Sequence, residues 1–184
     1  MVYAAAAPAA VLAGCRRRGL PPAPDRAEEQ RSRGTGRFFS AEQWDAVEAA
    51  SGRLIPGDDG PGAREARVVN YIDAQLALPQ FAGLRPLFLA GLVKLDQLAH
   101  GVAGKRFADL PPAKQDAVLR RVERGVLLGK RRRSNRFFRV LLTFTVEGFL
   151  CDPIYGGNHD KVGWELIGFE PRPPRPLRPY RSAV

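Results

Sequence analysis

The chain has few of the residues that build metal or redox sites. Among its 184 residues there are two cysteines, Cys15 and Cys151, and two histidines, His100 and His159. Neither cysteine has a second cysteine at the C-x-x-C spacing that structural zinc sites use. This composition argues against a structural zinc site.

Long apolar runs are also missing. No stretch reaches the roughly 18 to 20 apolar residues that a membrane-spanning helix needs, so we expect the body of the protein to be soluble. No segment shows the alternation of apolar and polar residues that is typical of a strand. The length and the 45% apolar content fit one globular domain with a hydrophobic core, and we expect an all-α fold.

Acidic residues are in the minority, and the net charge is +10. Residues 1–39 hold seven arginines and three acids, residues 170–184 hold four arginines and one acid, and residues 40–169 hold 18 basic and 15 acidic residues. The excess therefore lies mostly in the ends. Without a basic folded face interleaved with aromatics, we expect no nucleic-acid partner. A membrane surface or an acidic protein would account for the charge as well.

The first fifteen residues have the pattern of an export signal. Residues 3–15 are an apolar run that ends in Leu12-Ala13-Gly14-Cys15, and this ending resembles a bacterial lipoprotein box, whose cysteine carries a lipid after cleavage. The run has the length of a signal-peptide core. Because Met1-Val2-Tyr3 lacks basic side chains, we expect the true start to lie upstream, with a basic segment of the twin-arginine type.

Two alternatives stay open for this segment. In the first, the segment is an alanine-rich disordered tail in which Cys15 occurs by chance. In the second, Cys15 forms a disulfide with Cys151. If Cys15 is lipidated or removed with the signal, Cys151 remains as an unpaired thiol that packs like a small hydrophobic residue.

The first helix has a clear start signal. Residues 16–37 are rich in proline and charge and predict a flexible basic linker, because they cannot bury enough surface to offset their chain entropy. Order should begin at Phe38. Ser40 and Gln43 then form a capping box, and the spacing of the apolar residues that follow predicts a helix over 41–54.

Four further helices are expected in a single irregular bundle. The glycines, prolines and acids of 56–62 end the first helix. The next carries Val68, Val69, Ile72 and Leu76 inward, and the others run from about Pro86 to Gly101, over 112–128 and over 135–150. The fifth is apolar nearly all round, which is typical of a helix at the centre of a core or under a partner.

Several residues could suggest chemistry but have simpler interpretations. Asp58 and Asp59 lack the further oxygen ligands that a hard cation needs, so they should be solvated loop residues. His159 beside Asp160 is expected to be an exposed turn histidine, and Ser40 a helix cap. The basic run 130–133, with three arginines just before it, should be solvated or should meet an acidic partner surface.

An extended glycine-rich segment is expected after the fifth helix. Its Tyr155-Gly156-Gly157-Asn158 stretch has neither the lysine of a phosphate loop nor the spacing of a dinucleotide site. Glycine and asparagine accept left-handed backbone angles, so the stretch predicts a structural corner that sets the rings of Tyr155 and Trp164 against the fifth helix.

The segment 152–169 resembles the end of the gluconate 2-dehydrogenase subunit 3 family, D-P-x-Y-G-G-N-x-D-x-x-G-W-x-x-I-G-F. Other matching pieces occur in the order that the family shows, and the resemblance covers about residues 38–169. They are the F-F-S-A-E-Q-W opening at 38–44, the turn and following segment at 55–66, the Ile72-Asp73 pair, Phe107 to Leu110, and Thr145 to Phe149. Cys151, where the family pattern leads us to expect a small or polar residue, and the Pro/Arg tail at 170–184 depart from it.

The resemblance implies a non-catalytic small subunit that escorts, matures and stabilises a flavin dehydrogenase acting on a sugar, sugar acid or polyol. Its partners would be a large flavoprotein of the glucose-methanol-choline type and, in many complexes, a multihaem cytochrome c. FAD and haem c would belong to those partners, and this chain would hold no cofactor or metal. Such complexes lie on the periplasmic face of the inner membrane, which implies export and peripheral or lipid-anchored attachment.

The corner should also contact the large subunit. The expected contact residues are Asp152, Pro153, Tyr155, Gly156, Gly157, Asn158, Trp164 and Phe169. An alternative from another class is a free-standing envelope lipoprotein that binds a ligand or an envelope component.

Overall fold

The all-α prediction is confirmed. The computed structural model describes residues 37–125 and 131–171, with the backbone alone for 131–135. Within these residues there is no strand, and six α-helices follow one another. They are α1 (Ala41–Leu54), α2 (Val68–Ala77), α3 (Arg85–Ala103), α4 (Pro112–Glu123), α5 (Arg131–Leu150) and α6 (Val162–Leu166). Short 3-10 helices lie at Pro79–Leu84, Phe107–Asp109, Pro153–Tyr155 and His159–Lys161.

Helix α1 begins as the sequence predicts. The Ser40 hydroxyl accepts from the Gln43 amide at 3.3 Å, and the Gln43 side chain accepts from the Ser40 amide at 3.0 Å. These two bonds satisfy amide groups that have no partner inside the helix. Trp44, Val47 and Ser51 are buried, as their spacing requires.

Helix α5 lies at the centre of the bundle and packs against α1, α2, α3 and α4. Its Phe137 ring meets the Phe88 ring of α3 edge to face at 5.4 Å between centroids. Gly91 of α3 makes this approach possible, because a side chain there would overlap the Phe137 ring. The two helices therefore pack closely at the middle of the core.

Ion pairs and caps fix the outer helices. Arg53 of α1 donates two hydrogen bonds to Asp116 of α4, at 2.7 and 3.0 Å. Arg85 donates to the carbonyl groups of Leu76 and Ala77 at 2.7 and 2.8 Å, which supplies partners to the open end of α2.

Three helix boundaries differ from the prediction. Helix α4 ends at Glu123, because Gly125 takes the left-handed angle φ 84°, whereas the prediction continued to 128. Helix α5 is already helical at Arg131, four residues before the predicted start at 135. The short helix α6 was not predicted.

Within the described residues no single helix is long and apolar enough to cross a membrane. One bent pair, Val68–Ala77 with Pro79–Ala103, meets the length and composition test at an angle of 97°.

Candidate functional site

The segment 152–169, which we call the corner segment, folds over the C-terminal end of α5. Asn158 is fully buried and makes three of the hydrogen bonds that fix the corner segment in place. Its amide donates to the carbonyl of Gly148 at 2.8 Å, and its side-chain Nδ2 donates to the carbonyl of Cys151 at 2.9 Å. Its Oδ1 accepts from the amide of Gly163 at 2.8 Å. One asparagine therefore ties both ends of the turn to the helix.

Trp164 supplies the next attachment. Its Nε1 donates to the carbonyl of Leu150 at 2.7 Å, and the Phe169 ring lies against the indole at 5.2 Å. The last carbonyl groups of a helix have no partner within the helix. Asn158 and Trp164 supply donors to two of these groups, the carbonyls of Gly148 and Leu150, so the corner segment acts as a helix cap made from distant residues.

Two glycines of the corner segment allow it to pack closely against the backbone of α5. A side chain at Gly157 would overlap the carbonyl oxygen of Gly148, and one at Gly163 would overlap that of Phe149. Gly156 has the angle φ 95°, which side chains disfavour. The glycine pair is thus explained by packing and turn geometry, as the sequence predicts.

Beside the corner segment lies a groove between α2 and α5, which we call the α2–α5 groove. It encloses about 560 Å³. Tyr71 and Gln75 line it from α2, Val146, Glu147 and Leu150 from α5, and Cys151, Asp152 and Tyr155 from the residues that follow. Among the residues that the structure describes, its charged lining residues are Glu147 and Asp152, and none of the lining residues is basic. The groove is therefore mostly apolar, with an acidic rim.

A hydrogen bond crosses the groove. The Tyr71 hydroxyl donates to Glu147 Oε2 at 3.1 Å. Burial raises the pKa of Tyr71 above its ordinary value of 10.0, and the negative charge of Glu147 raises it further. The phenol is therefore neutral at physiological pH and serves as the donor in this bond.

Cys151 lies at the end of the same groove. Its Sγ is 3.6 Å from the carbonyl of Gly148, and burial raises its pKa above 9.0. The thiolate is the reactive form of cysteine, so burial lowers the reactivity of this side chain. Across residues 37–125 and 131–171, no group of three or more His, Cys, Asp or Glu residues is placed to hold a metal ion.

The family model for gluconate 2-dehydrogenase subunit 3 matches residues 41–171. The chain belongs to this family. The match begins at the first residue of α1 and extends through the corner segment, which confirms the resemblance that the sequence motifs indicated. No curated protein and no solved structure matches the chain, so the family model is the comparison that identifies it.

In this member of the gluconate 2-dehydrogenase subunit 3 family, the predicted contact residues divide into two groups. Gly157, Asn158 and Trp164 are buried and hold the corner segment. The remaining five are exposed or half-buried, and they are Asp152, Pro153, Tyr155, Gly156 and Phe169. Partner contact stays a prediction for the second group, while the first can act on a partner only through the position of the second.

The side chains of Trp164, Tyr155 and Asp152 lie in three different settings. Trp164 packs against the end of α5 as predicted, but Tyr155 is 54% exposed and lies at the edge of the groove. Asp152 caps the 3-10 helix that begins at Pro153, because its Oδ1 accepts from the amide of Ile154 at 3.1 Å. Cys15, the predicted lipidation site, lies outside the described residues.

Other predicted assignments agree with the structure. Asp58 and Asp59 are exposed in the loop after α1. His159 is partly exposed, and its Nδ1 lies 3.1 Å from Asp160 Oδ2. Its amide donates to the carbonyl of Ala66 at 3.1 Å, which gives this turn a structural role as well.

Sequence reasoning missed the role of Asp73. This carboxylate is 3% exposed and accepts three amide hydrogen bonds, from Arg37 at 2.6 Å, Phe38 at 3.0 Å and Phe39 at 2.8 Å. It thereby holds the residues before α1 against α2. A signal was present, because Asp73 falls between Val69 and Leu76 on the inward face of its helix, where an unpaired carboxylate would be costly.

Proposed function

We propose that the chain is the non-catalytic small subunit of an exported dehydrogenase, where it escorts, matures and stabilises a flavoprotein subunit that oxidises a sugar, sugar acid or polyol. The observation that carries this proposal is the match of the subunit 3 family model to nearly all the described residues. FAD, and haem c where a cytochrome joins, would be held by the partners.

The chemistry of the groove supports a non-catalytic role. An active-site nucleophile or base needs a pKa near the working pH or below it. The pKa values of Tyr71 and Cys151 are both raised, and Glu147 accepts the Tyr71 hydrogen bond. Such groups are suited to fixing the shape of a surface rather than to transferring protons.

Exposed apolar side chains support the docking of a second protein. Leu142 and Val146 stand one helical turn apart on the outer face of α5, and the corner segment adds five more. Those five are Ile154, Tyr155, Leu166, Ile167 and Phe169. Apolar surface of this kind commonly marks an interaction site in a folded domain.

We assign the α2–α5 groove to a segment of the flavoprotein subunit. Apolar side chains of that segment would fill the space beside Val146 and Leu150. Because Glu147 and Asp152 are the charged groups of the lining, a lysine or arginine at the edge of the segment would complement them. The surface of the flavoprotein that docks here should therefore combine apolar and basic side chains.

Co-expression and co-purification with a glucose-methanol-choline-type flavoprotein from the same genome test the proposal. Val146→Asp places a charge on the groove, where the side chain is 42% exposed. Val102→Asp is the matched control, since Val102 is 41% exposed on α3 and does not line the groove. We expect the first variant to lose association and exported activity and the second to keep both.

Three outcomes contradict the proposal. The parent chain could stay monomeric beside the flavoprotein, the flavoprotein could reach full exported activity without this chain, or Val102→Asp could disrupt the complex as much as Val146→Asp. The first of these would favour a free-standing envelope lipoprotein, for which the Leu12-Ala13-Gly14-Cys15 sequence is the supporting observation.

A further inference from the structure

The basic and acidic residues of 40–169 are concentrated in different parts of the chain. Residues 120–139 contain nine basic residues and one acidic residue, whereas the rest of residues 40–169 contains nine basic and 14 acidic residues. Residues 40–169 therefore combine a basic stretch of 20 residues with an acidic remainder, although their net charge is small.

The fold brings the described parts of this stretch, 120–125 and 131–139, to one end of the bundle. Helix α4 ends at Glu123, α5 begins at Arg131, and the two helices pack together. Five arginines are exposed there, and none lies within ion-pair distance of a carboxylate among the described residues. They are Arg120, Arg121, Arg124, Arg136 and Arg139, and we call this surface the basic end.

Helix stability accounts for only part of the arrangement. Arg120 and Arg121 lie in the last turn of α4, where the helix dipole favours cations. The backbone places Arg131, Arg132 and Arg133 in the first turn of α5, which has no acidic residue, and cations there oppose the helix dipole. An anion from outside the chain would offset this cost and the mutual repulsion of the five exposed arginines.

We propose that the basic end binds the anionic phosphate headgroups of a phospholipid bilayer. Guanidinium groups donate paired hydrogen bonds to phosphate oxygens, and several basic residues at one surface add their attractions to an anionic membrane. This proposal does not rest on the flavoprotein partner of the proposed function, so vesicle binding and co-purification can fail independently.

Two observations favour lipid over nucleic acid. Among the described residues of 120–139 the aromatic side chains are Phe137 and Phe138, both buried, so the stacking platform that single strands use is missing. In the sequence, the two halves of the basic stretch are separated by Val126-Leu127-Leu128. Cations combined with apolar residues are typical of interfacial segments, although these three residues lie outside the described structure and outside the basic end as defined.

The placement leaves room for a second partner. Helix α5 has 20 residues, which corresponds to about 30 Å. The basic end lies toward its N-terminus, and Glu147 and Leu150 of the groove lie at its C-terminus. A chain bound to a bilayer by the basic end therefore keeps the α2–α5 groove free.

Vesicle sedimentation tests the proposal with the full chain carrying Cys15→Ser, which removes the thiol that a lipid could modify. The vesicles are phosphatidylcholine with or without phosphatidylglycerol. One variant replaces basic-end residues by glutamine, and these are Arg121, Arg124, Arg136 and Arg139. The matched control removes four charges elsewhere, at Arg64, Lys94, Lys105 and Lys114.

We expect the parent to bind the vesicles that contain phosphatidylglycerol and to be released by salt. The basic-end variant should lose at least about 50-fold in partition coefficient, since each basic residue near an anionic surface contributes roughly fivefold. The control should stay within about threefold of the parent on the same scale. Lysine at the four basic-end positions should preserve binding within about fivefold, because it preserves the charge.

Several results would overturn the proposal. Equal binding to vesicles without phosphatidylglycerol would remove its electrostatic basis. If the control lost as much binding as the basic-end variant, net charge would explain the binding. If the basic-end variant lost none, the binding would belong to the arginine-rich N-terminal and C-terminal segments of the chain. Loss of vesicle binding in the lysine variant would also contradict the proposal. Tighter binding to duplex DNA than to the vesicles would assign the surface to nucleic acid.

Discussion

Replacing Asn158 by alanine should release the corner segment from the end of α5. The change removes the acceptor of the Gly163 amide and the donor to the Cys151 carbonyl. A buried polar group that loses its partner costs about 1–3 kcal/mol. Asn158 also has the left-handed angle φ 44°, which asparagine adopts more readily than alanine, so the change adds roughly 1 kcal/mol. Because two groups lose their partners, we expect a total loss of about 3–7 kcal/mol in the free energy of unfolding.

Urea unfolding followed by circular dichroism measures this loss, and the expected fall in Tm is on the order of 10 °C. Asn158→Gly separates the two contributions, because it removes the same hydrogen bonds but relieves the backbone angle. It should be more stable than Asn158→Ala by about 1 kcal/mol.

A local release of the corner segment would leave the global transition unchanged, so hydrogen exchange at the Gly163 amide and quenching of Trp164 fluorescence are measured as well. If Asn158→Ala unfolds within about 0.5 kcal/mol of the parent and both local probes are unchanged, the assignment of Asn158 as the main attachment is wrong.

Three further changes test other parts of the structure. Asp73→Ala leaves three amide groups without their acceptor and should lower the free energy of unfolding by about 2–4 kcal/mol in urea titration; an unchanged midpoint would contradict this. Gly157→Ala forces the turn away from the Gly148 carbonyl and should lower Tm more than an alanine at the open position Gly83 does. The raised pKa of Tyr71 means that the folded state holds its proton more tightly, so stability is fully present below pH 10.0 and falls as pH rises above it. Tyr71→Phe should flatten that fall, and an equal fall in the variant would assign it to other groups.

The start of α1 and the turn at Gly156 to Asn158 could be predicted because their signals are local. Ser40 and Gln43 are three residues apart, and a glycine pair beside an asparagine restricts the backbone whatever surrounds it. The end of α4 was missed because Gly125 was outweighed by the apolar residues after it.

The α2–α5 groove could not be predicted, since it depends on which helices are neighbours. Tyr71 and Glu147 are 76 residues apart in the sequence, and no local pattern indicates that their side chains meet. Asp73 presents the same difficulty, because its three donors come from residues that precede α1. Local signals therefore identified the elements and the family, whereas the surface between the elements required the structure.

The corner segment and the groove make different contributions to the same surface, and this difference is measurable. Asn158 and Trp164 are buried, so a change at either should reach a partner by displacing Tyr155 and Asp152, and should lower stability and association together. Val146 is exposed, so Val146→Asp should lower association at nearly unchanged stability. The buried residues of the family motif therefore hold the corner segment in place. The exposed side chains beside them are where selectivity for a partner would be found.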